Sequence, residues 1–196
     1  MSMFSNPSRR SFLLTSAAAI AGAGLLARYS GVFAAETIMG KPGKVSIQRF
    51  TDLGKSIGIE EVDKVVKTEA EWKALLASAP QPDVTFNVTR QEGTEYPFTG
   101  PNWDNHAAGL YRCICCDNAL YTNETKFDSR TGWPSFWQPI AKENVVEGVA
   151  EQGGHEVSCA LCDAHLGHVF DDGPQPTGLR YCMDGVAMRF IPWPAA

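Results

Sequence analysis

The run Cys159-Ala-Leu-Cys-Asp-Ala-His-Leu-Gly-His-Val-Phe170 holds a CxxC pair followed at once by two histidines. A matching pair, Cys113-Ile-Cys-Cys116, lies upstream with Cys115 inside it. Two separated CxxC pairs supply four thiolates, enough to close a tetrahedral zinc shell with no open position, so a site of this type is structural. Such an ion ties together two distant hairpins of a sheet, and its binding free energy becomes folding free energy. Two disulfides are the alternative, which an exported chain permits, and an iron centre is a third. Each pair is followed by an aspartate, Asp117 or Asp163.

The sixth cysteine, Cys182, stands apart in Gly178-Leu-Arg-Tyr-Cys-Met183. A lone thiol beside a cation reads as a nucleophile, against the plainer reading of a small buried hydrophobe. If Gly178–Pro192 is one strand, alternation puts Arg180, Cys182, Asp184 and Phe190 on one face. The guanidinium then favours the thiolate and lowers its pKa. His165 and His168 offer imidazoles, with Asp171 and Asp172 to orient them. The run Gly132-Trp-Pro-Ser-Phe-Trp137 reads as core packing or as the wall of a small apolar pocket with a polar rim.

The chain opens with Ser8-Arg-Arg-Ser-Phe-Leu-Leu14, two arginines directly before an uncharged Ala/Leu/Gly-rich stretch from Phe12 to Ala27. With small residues near Ala34 and Ala35 to accept a peptidase, residues 1–34 read as a twin-arginine export signal leading to the periplasm or otherwise out of the cytoplasm. A membrane anchor is the competing reading, but a comfortable span needs about 20 residues. Removing Arg9, Arg10 and Arg28 takes the net charge from -5 to about -8. Nucleic acid is a poor partner for so acidic a protein, and no stable membrane association is expected after signal cleavage. What remains is long enough for one ordinary domain with its own core.

Within it, residues 35–61 are rich in Gly and Lys and read as a loose leader before a domain at 62–196. Thr68-x-x-Glu71 is a capping-box pattern followed by Trp72, Leu75 and Leu76 at helical spacing. It predicts a helix over 69–79 ended by Pro80 and Pro82, with a second helical segment over 83–91. Beyond Gly93, turn residues punctuate short apolar runs such as Val145–Val149. The expected fold is mainly β, antiparallel, with a few helices on the N-terminal side.

Four runs then carry a resemblance. Gly93-Thr-Glu-Tyr-Pro-Phe-Thr-Gly100, Gly132-Trp-Pro-Ser-Phe136, His165-Leu-Gly-His-Val-Phe170 and Arg180-Tyr-Cys182 are similar to those of peptide-methionine (R)-S-oxide reductases of the B class. The resemblance spans residues 62–192, and no Gly-Cys-Phe-Trp run of the A class is present. It implies reduction of methionine-R-sulfoxide in oxidised proteins, with Cys182 as nucleophile. It also implies His165, His168, Asp172 and Arg180 as acid/base and orienting groups, Trp133 against the substrate methyl with Phe190 nearby, and one structural zinc on Cys113, Cys116, Cys159 and Cys162. A cysteine sulfenic acid would form and be recycled by a thioredoxin-like or other thiol reductant, as in protein repair under oxidative stress.

Two departures stand out. Arg130-Thr131 occupies the place where many members carry a resolving cysteine, so either Cys115 or an external thiol must reduce Cys182, and the external thiol is the preferred reading. Asp184 stands where asparagine is common, and its carboxylate would oppose Arg180 at the thiol. The competing classes are a non-catalytic zinc module, which has no need of the Arg-Tyr-Cys run or the histidine pair, and a thiol-disulfide exchanger, which would hold no metal.

Overall fold

A computed structural model of the chain describes residues 37–151 and 154–194. The expected export signal at 1–34 lies outside the described residues. The chain runs through β1 (Ile38–Met39), β2 (Lys44–Phe50), β3 (Ser56–Asp63) and β4 (Lys67–Thr68), then α1 (Glu69–Leu76) and α2 (Pro82–Gln91). There follow β5 (Gly109–Cys113), β6 (Ala119–Thr122), β7 (Lys126–Phe127), β8 (Ser135–Phe136), β9 (Val145–Glu151), β10 (Gly154–Cys159), β11 (His165–Phe170), β12 (Arg180–Met183) and β13 (Met188–Pro192). Strands β7-β8-β12-β11-β10-β9 form one sheet and β13-β5-β6 another, while β1 pairs β4 and β2 pairs β3. Every pairing among the described residues is antiparallel, as the turn-punctuated sequence predicts.

The two larger sheets meet through aromatic rings. Tyr121 of β6 stacks on Phe136 of β8 at 4.4 Å, and Tyr111 of β5 meets the same ring edge-on at 5.1 Å. Such pairs add about 0.5–1.5 kcal/mol each beyond the apolar area they bury. The Tyr121 hydroxyl, deep in this seam, donates to Met183 Sδ at 3.2 Å. Alternation then decides the rest of the large sheet. Phe136, Tyr181, Met183, Val157 and Val169 face the seam and are buried, which leaves Cys182 and Arg180 on the opposite face.

Three local expectations need correction. The leader at 35–61 is not loose, because β2 and β3 form a hairpin there. Ile47 of β2 is fully buried, and the backbone of Gln48 exchanges two hydrogen bonds with the buried Asn144 side chain. Alternation of Val45 and Ile47 with polar neighbours outweighs the Gly and Lys content. Helix α1 stops at Leu76, short of the expected Ala79, though its capping box at Thr68 and Glu71 is complete. Pro82 begins α2 instead of ending α1, since its missing N–H costs nothing in the first turn of a helix.

The third correction matters most for the site. Gly178–Pro192 is not one strand, because a 3-10 turn at Gly185–Ala187 separates β12 from β13 and sends them to different sheets. Phe190 therefore does not share the Cys182 face. It pairs with Tyr111 across β13 and β5, with ring centroids 5.0 Å apart.

Candidate active site and metal centre

The CxxC pairs sit in the turns that join β5 to β6 and β10 to β11. In each turn the aspartate after the pair adopts left-handed backbone, φ 65° at Asp117 and 55° at Asp163, and its N–H returns to the first cysteine's carbonyl. The aspartates are then anchored by cations: Asp117 by Arg189 and Arg112, Asp163 by Lys64. This geometry brings the four sulfurs of Cys113, Cys116, Cys159 and Cys162 within 4.8 Å of one another. Across the two turns, Cys113 and Cys162 are 3.7 Å apart and Cys116 and Cys159 are 3.5 Å apart. These separations are too long for disulfides. They match the edge of a tetrahedron whose metal–sulfur bonds are about 2.3 Å. The donor set thus fits a four-coordinate metal, and all six cysteines are free thiols.

Helix α2 reaches this cluster through Arg90. Its guanidinium lies 3.8 Å over the Trp72 ring and donates to the Cys162 carbonyl at 2.8 Å and the Cys162 sulfur at 3.4 Å. Cys115 belongs here too. It is buried, and its thiol interacts with Cys113 and Cys162 within reach of Arg90. The contacts of Cys182 are with other residues.

Register places the remaining site residues. His168 of β11 stands opposite Cys182 of β12, Cys182 opposite Ser135 of β8, and His168 opposite Glu156 of β10. One row across four strands therefore reads Ser135, Cys182, His168, Glu156. His165 and His168 are three residues apart, which plain alternation would put on opposite faces. A β-bulge prevents this, because Val157 pairs with Gly167 and Ser158 with His165, which leaves Leu166 as the extra residue. The two rings consequently meet at 5.2 Å, edge to face. Gly167 makes the bulge possible, at φ 141° and so close to β12 that a Cβ would fall 2.2 Å from the Cys182 carbonyl oxygen.

Each site residue has a distinct partner. His165 is buried and its Nδ1 is 2.9 Å from Glu156 Oε1, while Nε2 has no hydrogen-bond partner among the described residues and lies 4.0 Å from Asp184 Oδ2. Burial, then the neighbouring His165, pushes His168 below the ordinary imidazole range. Asp172 does not orient the histidines. It holds Arg180 through two hydrogen bonds of 2.8 Å, and Arg180 also stacks 4.3 Å over Phe170. An exposed pair of this kind contributes about 0–1 kcal/mol, so its effect is to aim the guanidinium. A cavity of about 310 Å³ lies over this region, lined by Glu92, Val149, Gly154, Glu156, His165 and His168.

Around Cys182 the expected lowering of the thiol is overturned. Burial dominates and pushes it above the ordinary thiol range, against the hydroxyls of Thr131 and Ser135 and the charge of Arg180, which pull it down. Asp184 opposes Arg180 more weakly. Burial raises the Asp184 carboxyl itself to about 7, against the Glu95 N–H it accepts and with a smaller push from the Glu95 charge, so at neutral pH its charge is only partial.

Two carboxylates of the site are not singled out by sequence reasoning, although Glu95 lies in the Gly93–Gly100 run. Glu156 is found only by counting back through the hairpin from Cys159. Glu95 lies in an irregular turn yet is buried. Its oxygens accept from the N–H groups of Gly185 and Val186, its own N–H donates to Asp184, and its carbonyl receives the Trp133 indole at 3.1 Å. Glu95 thus joins the turn that follows Cys182 to the loop that carries Trp133.

Comparison with known proteins points to one family. The SelR domain family matches residues 82–192. A peptide methionine sulfoxide reductase MsrB of Hahella chejuensis is 49% identical over 134 residues, covering 66% of this chain and 91% of that protein. One from Pseudomonas putida is 49% identical over 134 residues, covering 67% and 97%. The chloroplastic peptide methionine sulfoxide reductase B1 of Arabidopsis thaliana is 41% identical over 163 residues, covering 77% and 78%.

Proposed function

The chain belongs to the SelR family of peptide methionine sulfoxide reductases B, and we propose that it reduces methionine-R-sulfoxide in oxidised proteins with Cys182 as the nucleophile. What supports this assignment is the row Ser135, Cys182, His168, Glu156 across four strands, with Arg180 beside the sulfur. Cys182 enters as a thiol because burial raises it. His168, its cross-strand neighbour, is neutral at pH 7 and free to take the thiol proton as sulfur attacks sulfur. Delivered to the sulfoxide oxygen, that proton balances the step: thiol plus sulfoxide gives cysteine sulfenic acid plus thioether. Glu156 holds the His165 ring, and Trp133, whose indole donates to the Glu95 carbonyl, is the proposed wall for the substrate methyl.

The sulfenic acid must then be reduced. An external thiol condenses with it to a mixed disulfide and water, and a second thiol of the same thioredoxin-like reductant releases Cys182. The placement of Cys115 beside the metal cluster supports this route over an internal one. Mass spectrometry after one turnover without reductant is expected to find one added oxygen on Cys182. A Cys115–Cys182 disulfide in its place would overturn the external route.

The bound metal is zinc in this reading, held by the four cysteines, and it supplies folding energy without taking part in the reaction. Residues 1–34 act as a twin-arginine signal, a route suited to a chain folded around its metal before export. Replacing Arg9 and Arg10 by lysines is expected to abolish appearance of the enzyme in the periplasm or medium. Export that continues undiminished would end this part of the reading.

A further inference from the structure

Thr131 stands in the loop before β8, and its Oγ1 lies 3.8 Å from Cys182 Sγ. The same oxygen is 2.8 Å from Ser129 Oγ, which is 2.7 Å from Ser135 Oγ. Ser135 Oγ is in turn 3.2 Å from the Trp133 carbonyl oxygen. A continuous run thus passes from the sulfur through three hydroxyls to a carbonyl. Ser135 is fully buried, and Ser129 and Thr131 are partly buried.

The two ends of the run differ chemically. The carbonyl accepts in every state, whereas sulfur donates as a thiol and accepts as a thiolate. Each hydroxyl has a single proton to give. With Cys182 as a thiol, the filled order runs from S–H to Thr131, to Ser129, to Ser135, to the Trp133 carbonyl. With Cys182 as a thiolate the hydroxyls turn: Thr131 donates to sulfur and accepts from Ser129, while Ser135, which stands opposite Cys182, gives its proton to Ser129 or to sulfur. A hydrogen bond onto a charged acceptor is the stronger kind, so the second order favours the ionised sulfur.

We infer that Ser129, Thr131 and Ser135 form a reversible hydroxyl relay that presents an acceptor to the Cys182 thiol and a donor to its thiolate. Thr131 touches the reacting sulfur and is a catalytic residue, while Ser129 acts through its neighbours and is a positioning residue. The charged groups facing the sulfur come from elsewhere. Arg180 lies on β12 itself, Asp184 follows it, and His168 stands opposite on β11. The relay approaches from β8 and its preceding loop. In this chain a hydroxyl at position 131 supports the nucleophile directly.

The inference rests on Cys182 as nucleophile, but its test needs no sulfoxide. The rate at which iodoacetamide alkylates Cys182 in the purified full-length protein is followed against pH, by mass spectrometry of the Cys182 peptide. Thr131→Val keeps the shape without the hydroxyl and is expected to raise the titration midpoint by about one pH unit, roughly tenfold less thiolate at neutral pH. Ser129→Ala is expected to shift it in the same direction by less. Thr131→Ser is expected to restore the wild-type midpoint, and it carries the test if Thr131→Val fails to fold. A wild-type midpoint in Ser129→Ala would overturn the relay, as would a Thr131→Val shift that Thr131→Ser does not reverse. A protein that titrates as expected yet reduces no sulfoxide would leave the relay standing and sink the reductase function.

Discussion

A Cys182→Ser enzyme is expected to reduce methionine-R-sulfoxide no faster than the reductant alone, whether dithiothreitol or a protein dithiol is supplied. The reason is geometric as well as chemical. No second thiol stands at the site, since Cys115 and the four paired cysteines are gathered at the other end of β11. A serine hydroxyl is far less ionised and far less nucleophilic than a thiol, and the neutral His168 does not close that gap. The fold should be indifferent to the change. Cys182 is only half-buried, on the face of β12 turned away from the aromatic seam, and oxygen for sulfur is nearly isosteric. The melting temperature and metal content are therefore expected to match wild type, so the loss is attributable to chemistry. Turnover that survives in this variant with the R epimer would remove Cys182 from the reaction.

How much of this was legible in the sequence depends on which interactions are local. The capping box at Thr68 and Glu71 is a four-residue device, and it forms as written. The metal knuckles are equally local, with cysteine spacing and a following aspartate set by the turn itself. Alternation within β12 put Arg180 and Cys182 on one face, because four residues of strand need nothing from elsewhere. The errors begin where a distant contact decides. The 3-10 turn that parts Phe190 from Cys182 is held by Glu95, about ninety residues away in sequence, and nothing in Asp184-Gly-Val-Ala187 announces it.

The histidine pair is intermediate between these cases. Their shared face depends on a single extra residue, Leu166, whose bulge requires Gly167 at positive φ against the Cys182 carbonyl. The glycine was visible, but the need for it arises only once β12 lies alongside. The same holds for Glu156, invisible as an isolated glutamate and plain once the hairpin is counted. The Cys182 thiol departs from the sequence expectation for a related reason. A neighbouring charge is readable from sequence, whereas the burial that outweighs it belongs to the assembled sheet.

Loss of the metal is expected to have the largest effect on the fold. Stoichiometric removal by a chelator, or Cys159→Ser, should abolish cooperative thermal unfolding and with it all activity. Structural zinc is worth about 10–16 kcal/mol at neutral pH in small zinc-binding peptides. A whole domain is stable by only about 5–15 kcal/mol. Losing one ligand leaves three clustered thiols, two of them fully buried at Cys113 and Cys162, with no cation between them. The consequence reaches the active site along one strand, since Cys162 ends the turn from which β11 departs toward His165 and His168. Arg90, which donates to the Cys162 carbonyl and sulfur and stacks on Trp72, would then hold a turn that no metal fixes. The pH dependence has a definite sign. Ligand thiols bind only when deprotonated, so the metal is held at neutral pH and released as acid protonates them. Metal content and near-ultraviolet circular dichroism should therefore fall together on acidification. Retention of the native melting transition after complete chelation would show that the four cysteines do not hold the fold through a metal.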